Sequence, residues 1–209
     1  MDKKIRNQII DHYNKLYTKF GDNPASVGWP NGKQNIRFTT ISQIGNFNNS
    51  SILDVGCGFG DFFSFLKSRN TKLKKYLGVD INKEFVNVAK TKNPDAAFKV
   101  MDIETNDLSK FDWSIAIGIT NKSGSYNYIE KLLKRMLVVS KKGIAMDFLS
   151  TYVDYKTKGT FHASPERIFK IAKKLSKRVV FRHDYLPCEF CIYLYKQDDI
   201  NKDLSFKNF

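Results

Sequence analysis

The sequence predicts an α/β protein whose mostly parallel sheet lies between layers of helices. From Ser51 onward, short β-rich runs alternate with helical runs, as in consecutive βαβ units. The last two β-rich runs are joined by a loop too short for a crossover helix, so they should be antiparallel neighbours. The 209 residues are enough for one such domain with a substantial core.

Composition excludes a chain that is too polar to fold. Hydrophobic residues make up 42% and aromatic residues 14% of the sequence. The formal net charge is +14, a field that attracts nucleic acid, anionic lipid or acidic substrates. Lys outnumbers Arg, and Lys, Asn and Ile are common throughout, so we favour a compositional bias over a dedicated binding surface.

Cysteine usage and the N-terminal segment predict a soluble, cytoplasmic protein. Cys57, Cys188 and Cys191 are too few for a disulfide framework, and their odd number would leave one unpaired. The first residues are polar and lack the apolar stretch of a secretory signal. No apolar run approaches the ~20 residues that span a bilayer, so we expect no membrane segment.

The first 48 residues are predicted to form a helical cap or lid. Apolar residues recur at helical spacing from Ile5 to Phe20, and Gly21 supplies a stop. Residues 22–33 form a loop rich in Gly, Pro and Asn that carries Trp29, and a second helix is expected over residues 34–47. We expect a core over residues 49–197 and a polar tail over residues 198–209.

The core is predicted from β-rich runs that mostly alternate with helical runs. Ser164-Pro165-Glu166 is a strong helix start, with Ser as the N-cap and Pro at the first position. The predicted strands are 51–55, 75–80, 96–101, 113–117, 143–149, 178–183 and 190–195. The predicted helices are 61–69, 83–92, 126–139 and 165–176.

A cluster of glycines follows the first strand. The strand ends in Asp54, and Gly56, Gly58 and Gly60 come next, before a helix. Glycines there let the backbone turn sharply and approach a ligand at the carboxyl end of the strand. The third glycine comes one residue too early for a dinucleotide-binding fingerprint, and no Gly-Lys-Ser/Thr follows. The spacing therefore argues against NAD and against ATP.

Two further strands end in carboxylates. Asp80 closes the second strand, where a carboxylate can accept both hydroxyls of a ribose. Asp102 closes the third strand, well placed to accept from an adenine amino group while Ile103 packs on the ring. Three such elements around one crevice predict a ligand that contains a nucleoside.

The segments DVGCGFG, GVDIN and the one around Asp102 resemble the three motifs of class I S-adenosylmethionine-dependent methyltransferases. The resemblance implies a Rossmann-like three-layer sandwich with an antiparallel last strand, and S-adenosylmethionine as the cofactor. It also implies roles for individual residues. The glycine loop, with Asp54, Gly56, Gly58 and Gly60, would hold the methionine part, Asp80 with Ile81 the ribose, and Asp102 with Ile103 the adenine.

The same resemblance implies that residues after the fourth strand, Gly118 to Asn121, line the methyl-transfer face. Their sequence, GITN, departs from the Asn/Asp-Pro-Pro-aromatic pattern, which argues against N-methylation of adenine or cytosine in DNA. Residues 28–38 resemble a Trp…Gln…Arg-Phe lead-in found in some small bacterial methyltransferases. This second resemblance implies a lid whose Trp29, Gln34 or Arg37 touches the cofactor or the substrate.

The acceptor side of the site leaves alternatives open. His183 and His162 are candidate general bases, because a His pKa of about 6.5 suits proton removal during methyl transfer. Either one can equally serve a local hydrogen bond. Tyr152, Tyr155 and Phe161 could wall the acceptor or cover the sheet. Asp147 is either a satisfied buried carboxylate or a residue that faces the acceptor.

Two other patterns favour structural interpretations. Cys188 and Cys191 have C-x-x-C spacing, but two further zinc ligands are missing, and residues three apart on a strand face opposite sides. We therefore expect no metal site. Cys57 needs only to be small within the glycine loop. The basic residues between Lys170 and Arg178 lack interleaved stacking aromatics and indicate a solvated helix face.

The sequence thus predicts an S-adenosylmethionine-dependent methyltransferase that acts on a small-molecule acceptor, the hydroxyl or amine of a metabolite, sugar or natural product. One alternative is an RNA methyltransferase that uses the basic surface. A second is a non-catalytic, cofactor-binding or regulatory protein, because fold alone does not establish activity.

Overall fold

The computed structural model describes residues 2–29, 32–122, 124–156 and 158–196, so the expected polar tail lies outside the described residues. The helices in the described part are α1 (Lys3–Phe20), α2 (Gln34–Ser42), α3 (Asp61–Ser68), α4 (Lys83–Lys92), α5 (Tyr126–Val139) and α6 (Pro165–Leu175). The strands are β1 (Ser51–Val55), β2 (Lys75–Asp80), β3 (Ala97–Val100), β4 (Phe111–Ala116), β5 (Ser140–Leu149), β6 (Arg178–Leu186) and β7 (Glu189–Tyr195). A 3-10 helix covers Pro24–Val27 within the predicted loop.

The seven strands form one sheet in the order β3-β2-β1-β4-β5-β7-β6. Neighbours from β3 to β5 are parallel, whereas β7 is antiparallel to both β5 and β6. The mostly parallel sheet with an antiparallel last strand is confirmed. Because the chain order reverses between β1 and β4, a crevice opens at the carboxyl ends of these two strands.

Helices cover both faces of the sheet. On one face, α5 and α6 bury residues such as Leu132, Met136 and Ile168 against the sheet. On the other, α2, α3 and α4 do so through residues such as Phe38, Phe62 and Val86. The alternation of buried residues between these two clusters follows the period of two along each strand.

Helix α1 lies over the carboxyl end of the sheet. Its first turn is capped by Asp2, whose side chain accepts hydrogen bonds from the backbone N–H groups of Lys4 and Ile5. It ends at Gly21, as predicted. Ring contacts join α1 to the core, since Tyr13 lies 5.9 Å from Phe85 between centroids. No helix in the described ranges has the length and apolar character that crossing a membrane requires.

Several predicted boundaries differ from the structure, and three of them are wrong by three residues or more. One is the start of β5, which begins at Ser140 instead of residue 143. Helix α2 ends at Ser42 instead of residue 47, although Ile44 and Phe47 are buried. The chain bends at Gly45, which packs so closely on Trp113 that a Cβ would lie 2.6 Å from the indole ring. Ile44 and Phe47 are therefore buried after the helix has ended, and their apolar spacing made the predicted helix too long. Strand β6 continues to Leu186, which pairs with Glu189. His183 therefore lies within a strand and not at its end in a loop.

Candidate active site

A cavity of about 130 Å³ lies at the carboxyl ends of β1, β2 and β4, beneath α1. Helix α1 contributes Ile9, Ile10 and Tyr13 to its lining, and α5 contributes Tyr128. Seven of the predicted cofactor-binding residues line this same cavity: Gly56, Gly58, Asp80, Ile81, Asp102, Ile103 and Gly118. The structure thus brings together residues that are far apart in the sequence.

The glycine loop follows β1 and forms one wall of the cavity. Gly56 has φ of +73°, and a Cβ at this position would lie 2.2 Å from Cγ2 of Ile119. Its N–H donates to the carbonyl of Val79 at 2.7 Å, which ties the loop to β2. Only glycine combines this backbone conformation with so close an approach.

Asp80 stands at the end of β2 and faces the loop. One carboxylate oxygen accepts from the N–H of Gly58 at 3.0 Å, and the other accepts from the N–H of Asn82 at 2.8 Å. Burial raises the pKa of Asp80, while these backbone hydrogen bonds oppose the rise. A third backbone hydrogen bond, from Ile81, also opposes the rise, so at least one lone pair of the carboxylate stays open for a further donor.

Asp102 lies on the far side of the cavity. It is buried, and Oδ1 accepts from the N–H of Glu104 at 2.9 Å. Arg6 of α1 places Nη1 3.9 Å from the other carboxylate oxygen, so α1 is drawn towards this side by charge. Ile103, next in the chain, is buried and gives the cavity an apolar surface.

Asp54 and Gly60 do not line this cavity. Asp54 lies beneath the glycine loop, where it accepts a hydrogen bond from the hydroxyl of Tyr76, and it lines a smaller cavity of about 60 Å³. Burial raises the pKa of Asp54 to about 7 against the opposing effect of the Tyr76 hydrogen bond. Gly60 lines neither cavity; a Cβ there would lie 2.8 Å from Nδ2 of Asn93, which indicates a packing role.

Two residues of the predicted lid, Trp29 and Gln34, lie beside the glycine loop, whereas Arg37 lines neither cavity. Trp29 lines both cavities, and Gln34 lines the smaller one. A Cβ at Gly118 would lie 2.6 Å from Cζ2 of Trp29, so the indole packs on the backbone just after β4. The guanidinium carbon of Arg37 lies 3.5 Å from the centroid of the Trp29 ring, in a cation–π contact.

Arg37 is buried and forms a bidentate ion pair with Glu189, through Nε and Nη2. Its Nε also lies 4.0 Å from Oδ2 of Asp147. Sequence reasoning missed Glu189, although an acid at the start of the apolar run EFCIYLY is a signal for a buried partner. It also missed Tyr185, whose buried hydroxyl has no hydrogen-bond partner in the described part of the chain.

Asp147 connects this ion pair to the cavity. It is buried in β5, and Oδ1 accepts from the N–H of Gly118 at 2.6 Å. Burial and, next, the negative charge of Glu189 raise the pKa of Asp147 to about 7, while Gly118 and Arg37 oppose the rise. A carboxyl group that titrates near neutral pH is suited to proton transfer.

The two predicted histidines do not line either cavity. His183 packs on the α6 side of the sheet, with its ring centroid 5.9 Å from that of Phe190 and 6.2 Å from that of Tyr152. Nδ1 of His162 lies 2.8 Å from the carbonyl oxygen of Ser150. Nε2 of each histidine is buried and has no hydrogen-bond partner within the described ranges.

The other predicted acceptor residues also lie outside the two cavity linings. Tyr152 and Tyr155 are exposed, and the Tyr152 hydroxyl donates to Glu166. The carbonyl of Asn121 accepts from the N–H of Phe161 at 2.8 Å. Within residues 2–29, 32–122, 124–156 and 158–196, no group of three or more His, Cys, Asp or Glu side chains could hold a metal ion.

Comparisons with known proteins agree with this architecture. The methyltransferase-domain family model matches residues 52–143. The chain is 30% identical over 155 residues to putative methyltransferase Rv1506c of Mycobacterium tuberculosis (strain ATCC 25618 / H37Rv), covering 70% of this chain and 93% of that protein.

Two solved structures share the fold. Magnesium protoporphyrin IX methyltransferase (ChlM) from Synechocystis PCC 6803, with bound SAH, superposes with a TM-score of 0.68 at 13% identity, over 94% of this chain and all of that one. Small RNA methyltransferase HEN1 superposes with a TM-score of 0.65 at 17% identity, over 83% of this chain and 26% of that one.

Fold, motifs and relatives together define a class of enzyme, the methyltransferases built on a Rossmann-like sheet. The chain belongs to the class I S-adenosylmethionine-dependent methyltransferases. S-adenosylmethionine is accordingly its methyl donor, and the predicted family and cofactor are confirmed.

Proposed function

We propose that this enzyme methylates a small-molecule acceptor, at a hydroxyl or amine of a metabolite, sugar or natural product. The supporting observation is that side chains of α1 and Trp29 cover the cavity. Ile9, Ile10 and Tyr13 of α1 lie on one side and Trp29 on another, so the strand ends are covered. A covered crevice suits a ligand that enters whole, because such sites bury most of a small molecule's surface.

Residues of the cavity are proposed to hold the cofactor as the family resemblance implies. The loop at Gly56 and Gly58 would lie along the methionine part, and Asp80 with Ile81 would bind the ribose. Asp102 and Ile103 would hold the adenine, and Gly118 would lie near the transferred methyl group. The fit is supported by the loop's close packing, where a Cβ at Gly56 would collide with Ile119. It is also supported by the lone pair of the Asp80 carboxylate that its three backbone donors leave open.

The chain's own contribution to the reaction is binding and orientation. When bound, the cofactor supplies a methyl group on a positively charged sulfur. Residues after β4 would hold the acceptor in line with that methyl, and alignment of this kind accounts for a large part of catalysis. The division into a cap (1–48) and a core (49–197) fits this arrangement and stays a prediction, as do the roles given to Asp54, Gly60, Gln34, Asn121, Tyr152 and Tyr155 and the general-base roles of His183 and His162.

The fold neighbours include enzymes that act on different substrate classes. ChlM, by its name, methylates magnesium protoporphyrin IX, a small molecule. A panel of small alcohols and amines, incubated with the enzyme and S-adenosylmethionine labelled in its methyl group, tests the proposal. We expect label in at least one small molecule and none in total RNA. Label in RNA alone would overturn the proposal.

A second candidate is an RNA methyltransferase. The net charge of +14 and the fold similarity to HEN1, named a small RNA methyltransferase, favour it. Binding that depends on phosphate contacts weakens steeply with salt. Tight RNA binding with a steep salt dependence, together with label transfer to RNA, would establish this function.

A further inference from the structure

A polar cluster lies behind Trp29, and the proposed function gives it no role. It consists of Arg37, Asp147, Glu189 and Tyr185, which we call the Arg37 cluster. Tyr185 belongs to it because its hydroxyl interacts electrostatically with the other three side chains. The residues come from α2, β5, β7 and β6, so four separate elements meet here. Arg37, Asp147 and Glu189 are each at least nine-tenths buried.

Two hydrogen-bond donors in the Arg37 cluster have no partner among the residues that the structure describes. They are Nη1 of Arg37 and the hydroxyl of Tyr185, both buried, although Glu189 satisfies the other edge of the guanidinium. Buried polar groups nearly always find partners, so two orphans in one cluster point to a ligand that supplies acceptor atoms.

The charges of the Arg37 cluster limit what that ligand is. Glu189 already balances the charge of Arg37, and Asp147 lies 4.0 Å from Nε of Arg37. An anionic group would meet two carboxyl groups, and an ammonium group would leave the Arg37 donor unpaired. A hydroxyl group both donates and accepts, so it can satisfy Arg37 or Tyr185 together with a carboxylate.

The Arg37 cluster is next to the cofactor cavity. Asp147 accepts from the N–H of Gly118, which lines that cavity. Trp29 touches both places, since it lines the cavity and stacks on Arg37. The four cluster residues line neither cavity, so Trp29 would have to move aside for a ligand group to enter the cluster from the cavity. A hydroxyl on Asp147 would then lie next to Gly118, the backbone position proposed for methyl transfer.

We propose that the Arg37 cluster binds a neutral, hydroxyl-bearing acceptor, with Asp147 as the catalytic residue that removes the hydroxyl proton. The inference rests on the proposed function and narrows its substrate class. The acceptor O–H bond breaks and its proton passes to the Asp147 carboxylate. The oxygen forms a bond to the methyl carbon, the carbon–sulfur bond breaks, and its electron pair stays on sulfur, which leaves S-adenosylhomocysteine.

Binding is measured first, without turnover. The sequence has two tryptophans, so Trp113→Phe leaves Trp29 as the reporter of the site. With S-adenosylhomocysteine bound, methyl hexopyranosides and simple phenols are titrated against Trp29 fluorescence, beside carboxylates, inorganic phosphate and ethanolamine. We expect saturable changes with the hydroxylated probes alone. Tyr185→Phe should weaken binding by about 5- to 30-fold, and Tyr195→Phe, whose hydroxyl donates to the Ile44 carbonyl, should not.

Turnover of the probes that bind is then compared between the wild-type enzyme and Asp147→Asn. We expect kcat to fall by about 100-fold or more while the affinity for S-adenosylhomocysteine stays within about 3-fold. Preferred binding of anions or amines, absence of binding by every hydroxylated probe, or unchanged kcat in Asp147→Asn would each overturn the inference. Failure of S-adenosylhomocysteine to bind would instead overturn the proposed cofactor site, so the two failures are distinct.

Discussion

The N–H of Gly58 donates to the Asp80 carboxylate at 3.0 Å, so the glycine loop after β1 is fastened to the end of β2. The two residues are 22 positions apart and line the same cavity. The same carboxylate that we propose to bind ribose thus also holds the loop that we propose to bind the methionine part. Loop geometry and cofactor affinity should therefore change together.

Asp80→Ala removes both the proposed ribose acceptor and the fastening of the loop. We expect S-adenosylhomocysteine affinity to fall by about 10- to 100-fold, because hydrogen bonds to a charged group contribute about 1.5–3 kcal/mol each. Calorimetric titration measures the change. Asp95→Ala, which removes an exposed ion pair with Lys67, is the control and should bind like the wild type. Wild-type affinity in Asp80→Ala would refute the assigned role.

Gly56→Ala tests the close approach within the loop. The new Cβ would collide with Ile119 in addition to suffering the backbone strain of a positive φ. Gly159→Ala is a matched control, because Gly159 has φ of +74° and no atom of the described residues lies within 4 Å of a Cβ there. We expect Gly159→Ala to cost about 1 kcal/mol of unfolding free energy, and Gly56→Ala to cost clearly more and to lose cofactor binding. Equal losses of unfolding free energy in the two variants would show that the loop has room for a Cβ at residue 56.

Arg37→Ala leaves Glu189 buried without its partner. Loss of one member of a buried pair typically costs about 3–5 kcal/mol, so we expect a large drop in unfolding free energy in urea. The double variant Arg37→Met with Glu189→Gln should recover most of the lost unfolding free energy. Lys67→Ala, which breaks an exposed pair, should change stability by less than about 1 kcal/mol. A mild effect of Arg37→Ala would mean that the pair is not buried.

Asp54 provides a pH test. Its pKa is raised from 3.8 to about 7 by burial, so between these values the unfolded chain releases a proton that the folded protein retains. Ionisation then favours the unfolded state, and this contribution destabilises the fold as pH rises from 4 to 7. Asp54→Asn lacks the titration, so its unfolding free energy relative to wild type should rise over that range. A pH-independent difference would contradict the raised pKa.

Much of the fold follows from local sequence signals. The bounds predicted for β1, β2, α4 and α5 match the structure. The signals for these elements are local, because apolar spacing lies within each of them and the helices have capping residues directly before them. The cavity residues were predicted together because each follows a parallel strand, and parallel strands end at one edge.

Other features depend on contacts between distant parts of the chain. Arg37 and Glu189 are separated by 152 positions, and no local pattern pairs them. The length of β6 is set by its pairing with β7, which is why His183 was misplaced at a strand end. The side of the sheet that His183 faces could be decided only by the register with Phe190 and its neighbours.

The most direct test of the proposed cofactor cavity is a calorimetric titration of the purified chain with S-adenosylmethionine and S-adenosylhomocysteine, with NAD as the control. We predict micromolar binding of the first two, abolished or strongly weakened in Gly56→Ala, and no binding of NAD. Absence of binding by either compound to a folded protein, or binding of NAD instead, would contradict the account of the cavity.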